Sequence, residues 1–563
     1  MSQRTFAGRE AWLVAGIVLV WLAMCALVLP VGEFPLNDDW AYARSVQALL
    51  ERGEIERRPW TPAITLSHTL FGALASALFG FSFETLHTSM LVLGLAGVLA
   101  VYGLLRELGA SSSASAIGAV SLAVNPIYLQ LSGTFMTDVS FFVQATIALW
   151  AFARALRTGS RAAIAVGALA SLAATLNRQI GIALPLGFAL GGLWAVVQRE
   201  PCRDSSRAGW PWLLAPLTLS IASLLVWEAA MAEPGIGSST ANVKVDEMLV
   251  FLTGTRPEVS RRILWNLVGH ALYLGLFALP FALAVAGARL RAGVLGVFAL
   301  AVTVWLAWRG EAMPLVGNIV LPSGLGPATL RDTHILMRPS LPEAPWIVRL
   351  ALTAASAFGA ALVVQLLFAR TRVRVPVRGA QAMLLASVGV LFAGPNLIAP
   401  YFDRYLLPLV PIVLGGLALR GFATEPVGRG ARAVVTAWLV AGFLLSVAGT
   451  HDYLAWNRAR WNALEGLVRE RGASLSSIDG GFEWNGWHRY DPKYFVRPDK
   501  SWWWVEDDRY LAAFGPLEGR EVVRRAPFAR WLPPFGEGEV LILARSSAPS
   551  SAPSSAPSSD EAP

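Results

Sequence analysis

The sequence predicts an all-α polytopic membrane protein with a small soluble α/β-like domain at its C-terminal end. Three observations predict it. Hydrophobic residues make up 55% of the chain and charged residues only 15%, with a mean hydropathy of +0.51, whereas soluble domains carry about 25% charged residues. Apolar stretches recur at the roughly 20 residues that a helix needs to cross a bilayer. From His451 the chain changes to mixed charge, frequent Trp and alternating runs such as Glu539-Val-Leu-Ile-Leu-Ala.

Thirteen apolar segments fall near 11–31, 85–105, 112–130, 139–157, 162–176, 179–198, 211–231, 264–288, 292–308, 346–369, 379–398, 405–420 and 433–450. Arg4 and Arg9 precede the first, and no small-residue cleavage site follows it, so it reads as a retained span. The run at 64–81 is short and broken by Ser67, His68 and Thr69, and reads as a juxtamembrane helix lying at the interface.

Charge decides between thirteen spans and fourteen. With thirteen and the N-terminus inside, the inside loops hold eighteen Arg against five acids, while the short outside turns at 131–138, 177–178 and 399–404 hold only Arg178 and Arg404. The positive-inside rule favours that count; a fourteenth span would turn the Arg-rich 370–378 stretch outside. The expected organisation is a membrane part over 1–450, an outside domain over 451–545, and a Ser/Ala/Pro tail over 546–563 without a core.

The formal charge of +8 comes from Arg in short loops and points to no nucleic acid. Cys25 and Cys202 make no disulfide framework, and the six His show no metal-ligand spacing. The Gly/Pro-rich stretch Met313–Pro327 lacks the strand–glycine–helix context of a nucleotide loop and suits a shaped surface loop.

The outside loops gather the unusual polar residues. Leu36-Asn37-Asp38-Asp39-Trp40-Ala41-Tyr42 follows the first span, and two carboxylates so near lipid need a reason. Asn37 can cap a helix from about Asp38 to Arg52. Successive helical residues diverge by about 100°, so one acid can face a cleft while the other binds a neighbour or a metal. Tyr42 lies one turn after Asp38, on its face. Asp138 starts a span behind Thr137; Arg178 and Gln179 occupy an outside turn, and Asp403-Arg404-Tyr405 another. Capping, snorkelling and a local ion pair explain each one singly; the functional reading of Arg178 is an Arg fork for phosphate, and Asp403-Arg404-Tyr405 repeats the pattern at another outside turn.

At these residues the sequence resembles the GT-C superfamily of polyprenyl-phosphate-sugar glycosyltransferases, near its family 39 branch of protein O-mannosyltransferases and aminoarabinose-transferase-like proteins. The likeness covers about 11–450. It rests on Asp38-Asp39-Trp-Ala-Tyr42, where the family usually shows Asp-Glu-x-x-Tyr, and on Phe79-Gly-Phe-Ser82, Phe135-Met-Thr-Asp138-Val, Thr175-Leu-Asn-Arg178-Gln-Ile-Gly181 and Asp403-Arg-Tyr-Leu-Leu-Pro408.

The resemblance implies transfer of a sugar from a polyprenyl-phosphate carrier to a hydroxyl of a lipid, glycan or protein. It implies a bacterial inner-membrane protein with a cytoplasmic N-terminus, a periplasmic active site and a periplasmic C-terminus. By position Asp38 is the base, Asp39 stands where Glu is commoner, and Asp138 is the second acid. Arg178 and Arg404 lie near the carrier phosphate, with Tyr42, Gln179 and Tyr405 as further substrate contacts. The resemblance fixes no cofactor, and the carboxylates fit a divalent metal or none.

Two other classes make different demands. A transporter or flippase of lipid-linked sugars calls for internal repeats and helices broken at mid-bilayer, and neither is visible in the sequence. A non-catalytic assembly protein would use Trp484, Trp487, Trp502, Trp503 and Trp504 as a binding surface; interfacial anchoring or core packing is the plainer use of Trp.

Overall fold

The computed structural model describes residues 3–29, 32–56, 60–61, 63–198, 210–231, 243–287, 290–338, 340–369, 379–421, 429–496, 501 and 503–546. The expected tail beyond Ser546, Trp502 and the 370–378 stretch lie outside the described residues. The chain divides into two compact units. The first is Met1–Pro327 with Pro342–Leu454 and Arg530–Gly536; the second is Ala328–Leu341 with Ala455–Ala529 and the chain from Glu537 onward.

The first unit begins with α1 (Gln3–Val28), α2 (Asp39–Arg52), α3 (Leu66–Phe79) and α4 (Phe83–Glu107). Ser82 caps α4 by accepting the Thr85 N–H, and the Glu33 carboxylate takes two more of its first donors, from Phe83 and Glu84. Helices α5 (Ser112–Ala123) and α6 (Pro126–Ser132) meet at 64°. Pro126 cannot continue a helix, and Asn125 caps the new one through the N–H groups of Ile127 and Tyr128. Next come α7 (Thr137–Thr158), ended by Gly159 in the left-handed region at φ 68°, then α8 (Arg161–Asn177) and α9 (Ala183–Val197).

Helices α10 (Trp210–Ala230), α11 (Val243–Leu252), α12 (Arg256–Ala286) and α13 (Ala292–Trp308) follow. A loop bearing the small antiparallel pair β1 (Val320–Leu321) and β2 (Gly324–Leu325) leads to α14 (Trp346–Phe368), α15 (Gly379–Ile398) and α16 (Val410–Leu419). Helix α17 (Arg429–Arg471) is 43 residues long.

Among the described residues nine helices are long and apolar enough to cross a membrane, or ten if α5 and α6 form one bent span. Over their described residues all thirteen apolar segments of the sequence are mainly helical, and the difference is one of length. Helices α8 and α13 have 17 residues each, and α16 has 10 behind a 3-10 stretch at Asp403–Leu409. The 64–81 run is the 14-residue α3, too short to span. Helix α17 does not stop at 450, where its apolar run ends.

Small residues bring the helices together, as lipid supplies no hydrophobic drive for their association. A Cβ on Gly275 of α12 would lie 2.3 Å from the backbone nitrogen of Ala360, and one on Gly359 of α14 would lie 2.3 Å from the Gly275 carbonyl oxygen. The two backbones are therefore in direct contact.

The second unit holds β3 (Ile478–Asp479), α18 (Phe482–Arg489), β4 (Tyr510–Ala513), β5 (Arg520–Arg530) and β6 (Gly536–Arg545). Its sheet runs β3-β4-β6-β5, with β3 parallel and β6 antiparallel to β4, and Leu511, Ala513, Leu541 and Leu543 pack together on it. Arg460 and Glu483, both fully buried, pair at 3.0 Å, and Glu483 also accepts the Thr329 hydroxyl. Trp484, Trp503 and Trp504 are buried in this unit, so they do not form the exposed Trp surface that an assembly role would use.

Candidate active site

The site is assembled from three chain reversals of the first unit. At the first, Asn37 adopts φ 56°, and the chain turns so that Asp38, not Asn37, stands at the N-cap of α2. At that position the Asp38 side chain bonds no N–H of the helix. Its Oδ1 accepts the Trp60 indole N–H at 2.9 Å. Asp39 is fully buried and turned away: its Oδ2 accepts the Leu36 N–H at 3.2 Å and lies 2.7 Å from His87 Nε2. The two acids diverge as helical geometry requires. Tyr42, one turn on, is buried and meets the ring of His68 edge-on at 5.6 Å.

At the second reversal α7 opens with Thr137 and Asp138. Arg178 ends α8 in an extended conformation, φ −138° and ψ 128°, before the 3-10 turn Gln179–Ile182. Its guanidinium donates from Nε at 3.1 Å and Nη2 at 2.7 Å to the Thr137 hydroxyl, and Nη2 lies 3.0 Å from Asp138 Oδ1. Gln179 sits beside it at the start of the turn.

A buried polar network backs this corner. His68 Nε2 lies 3.1 Å from the Phe135 carbonyl, which can only accept, so that nitrogen carries the proton. The other ring nitrogen faces the Ser140 hydroxyl at 2.9 Å, and the Asn177 amide donates to both Ser140 and Gln144.

The third reversal is Asp403-Arg404-Tyr405. Asp403, fully buried, accepts the N–H groups of Ile319, Val320 and Arg404, which ties the β1 loop to this turn. Arg404 is thereby aimed at the two acids. Its Nη2 is 3.9 Å from Asp38 Oδ2 and its Nη1 is 3.9 Å from Asp138 Oδ2. These are attractions across a gap, too long for hydrogen bonds. Arg404 is only 7% exposed, and neither its Nε nor its Nη1 has a hydrogen-bond partner among the described residues. Tyr405 and Phe402 offer their rings to the guanidinium at 5.6 and 5.3 Å.

Burial lifts the Asp38 carboxyl above its ordinary range, opposed first by the charge of Arg404 and then by the Trp60 bond. Asp39 is lifted by burial against the His87 bond, and the Tyr42 hydroxyl by burial as well. Burial pushes His68 down to about 4, so the ring is neutral. Asp403 is pushed up to about 6 by burial, despite its three backbone donors. Arg404 is held above its usual value: burial works against its charge, and the carboxylates of Asp138 and Asp38 outweigh it.

Asp38, Asp138, Arg178, Arg404 and Tyr42 thus converge, whereas Asp39 belongs to a structural pair with His87. Among the described residues no group of three or more His, Cys, Asp or Glu stands ready to hold a metal. The cation that Asp38 and Asp138 share is Arg404, and its spare donors suit an anion. The sequence reading missed Trp60, His87 and the anchoring role of Asp403. Their partners lie 22, 48 and 84 residues away, beyond any local pattern.

Residues 65–227 match the family model described as dolichyl-phosphate-mannose-protein mannosyltransferase. No curated protein matches the chain. Among solved structures it is similar to the archaeal oligosaccharyltransferase AglB from Archaeoglobus fulgidus, in complex with an inhibitory peptide and a dolichol-phosphate. That likeness has 15% identity over 88% of this chain and 63% of that one, with a TM-score of 0.46. It is also similar to ArnT from Cupriavidus metallidurans bound to undecaprenyl phosphate, with 13% identity over 95% and 98% of the two chains and a TM-score of 0.38. The protein O-mannosyltransferase Pmt1-Pmt2 complex of S. cerevisiae bound to the sugar donor matches at 15% identity over 41% and 35%, with a TM-score of 0.33. The chain therefore spans less of the archaeal and yeast proteins than they contain. The family match encloses His68, His87, Asp138 and Arg178.

Proposed function

We propose that the chain transfers a sugar from a polyprenyl-phosphate carrier to an acceptor hydroxyl with inversion at the anomeric carbon. The observation that carries this reading is Arg404, a buried guanidinium with spare donors between two carboxylates. A phosphate oxygen satisfies those donors, and Asp38 is left facing the same space as a base. Its raised affinity for protons brings it nearer the operating pH, where a general base works best.

In the reaction the acceptor oxygen forms a bond to the anomeric carbon as the bond from that carbon to the carrier phosphate breaks. The acceptor proton passes to Asp38. The electron pair of the broken bond leaves on the phosphate, whose growing negative charge Arg404 and Arg178 stabilise. Asp138 orients both guanidiniums, Tyr42, Gln179 and Tyr405 contact substrate, and Asp39 holds the turn through His87. Fixed donors aimed at developing charge in a water-poor site need no rearrangement during the step.

The charge count over the loops supports an active site on the periplasmic face of a bacterial inner membrane, with the N-terminus cytoplasmic and the C-terminus periplasmic. The change of composition at 451 supports a separate periplasmic domain over 451–545. The acceptor is a lipid, glycan or protein of the envelope. The test is mass spectrometry of lipid-linked sugars and envelope glycans in a strain deleted for the gene. One glycan should lose a sugar mass and regain it with the wild-type gene but not with Asp38→Asn expressed at the same membrane level. Unchanged glycans in the deletion, or full restoration by Asp38→Asn, would contradict the proposal.

A further inference from the structure

A cavity of about 730 Å³ opens among α11, α12 and α13, and shares no residue with the Asp38–Arg404 site. Arg261, Arg262 and Arg309 line it beside Trp265 and Trp305. The Arg262 guanidinium stacks on Phe251 at 4.0 Å, and that of Arg309 lies over Trp265 and Trp305 at 5.3 and 5.5 Å. Stacking occupies the face of a guanidinium and leaves its N–H edge for an anion. Two acids also border the cavity, Glu258 and Glu311, and Glu258 is engaged by the Thr255 hydroxyl and N–H at the start of α12. Three guanidiniums against two carboxylates leave one positive charge in excess among the lining residues.

Trp305 also borders a second, apolar cavity of about 540 Å³. Its walls are Val297, Leu300, Val304 and Trp308, one stripe of α13. Val297, Leu300 and Val304 are 71, 63 and 58% exposed, so no part of the described chain covers them. The two cavities meet at Trp305: cationic at one end, apolar along the helix. Trp and Arg at the ends of apolar helices mark the level of the membrane–water boundary.

We propose that the two cavities together bind one acidic phospholipid of the surrounding bilayer, with its phosphate among Arg261, Arg262 and Arg309 and an acyl chain along α13. The excess of guanidinium selects an acidic head group over a zwitterionic one. The apolar stripe selects a lipid over a free anion.

The test is native mass spectrometry of the full chain purified in detergent, titrated with phosphatidylglycerol and with phosphatidylcholine. Phosphatidylglycerol should bind more tightly. Each guanidinium near a membrane surface contributes about fivefold in affinity, so Arg262→Gln with Arg309→Gln should weaken phosphatidylglycerol about 25-fold and leave phosphatidylcholine unchanged. The corresponding pair of Lys substitutions should keep most of the preference. Leu300→Trp, on an exposed face, should weaken phosphatidylglycerol with every charge in place. Equal binding of both lipids to the wild type, an unchanged preference in the Gln pair, or no effect of Leu300→Trp overturns the proposal.

Discussion

Asp38 and Arg404 stand 3.9 Å apart across 366 residues of sequence (404 minus 38), near enough to attract and too far to hydrogen bond. A pair drawn together only to stabilise the fold would close that gap. Held open, it leaves Asp38 Oδ2 and the spare Arg404 donors available to a third party. Removing a positioned base costs about 10²–10⁴ in rate. Asp38→Asn should therefore lower sugar transfer by that factor at unchanged protein level, measured with purified enzyme and lipid-linked donor. Asp39→Asn should act on abundance instead, because its carboxylate serves Leu36 and His87.

Arg404→Lys keeps the charge and loses the planar fork. Donor binding should weaken, seen as a KM for the lipid-linked sugar raised by about tenfold or more, equal to about 1.4 kcal/mol. Arg404→Gln leaves two acids facing each other without their shared cation. Breaking a buried ionic group in this way costs about 3–5 kcal/mol, and the variant should accumulate poorly and melt early.

Asp403 gives a pH signature. Its carboxyl is pushed up to about 6 in the folded chain from an ordinary 3.8. A folded value above the unfolded one means that the group's contribution to stability is complete below about pH 4 and is lost as pH rises through 6. Thermal unfolding scanned from pH 4 to 7 should carry that slope, and Asp403→Asn, which cannot titrate, should lack it. A wild type and variant with parallel profiles would rule out this assignment.

Gly275 and Gly359 set the approach of α12 and α14. An added methyl at either would enter the facing backbone, and overpacking a close contact typically costs about 1–3 kcal/mol. Gly275→Ala should lower the melting temperature in detergent, while Gly293→Ala, where a Cβ meets nothing within 4 Å, should not.

In the second unit Arg460 and Glu483 form a fully buried pair. Arg460→Met alone strands the carboxylate and should cost about 3–5 kcal/mol. Adding Glu483→Gln should recover part of that loss in a double-mutant cycle of thermal melts.

Much of the helical architecture was legible because hydropathy records which segments are long and apolar enough to cross a bilayer. Hydropathy does not record where a helix ends, and so α17 runs on to Arg471 although its apolar stretch stops at about 450. Nor does it record bends: the break at Asn125-Pro126 sits inside a continuous apolar run. At the site, local patterns indicated Asp38, Asp138, Arg178 and Arg404 singly. Only tertiary packing couples Asp38 to Trp60, turns Asp39 into a partner of His87, and makes Asp403 the anchor of the 319–320 backbone. The expected cap at Asn37 was overruled by its left-handed backbone, which shifts the cap by one residue and frees Asp38.

The grip of Asp403 on the β1 loop and on Arg404 also bears on biosynthesis. Translation delivers Asp38 and Asp138 early, and Arg404 emerges 266 residues after Asp138 (404 minus 138). Until then the nascent chain holds the two acids with Arg178 as the only one of the two arginines yet made. A chain truncated ahead of residue 403 loses the residue that orients the β1 loop and keeps both carboxylates, Asp138 with Arg178 beside it and Asp38 without its facing guanidinium. The last part of the site to be synthesised is the part that balances its charge.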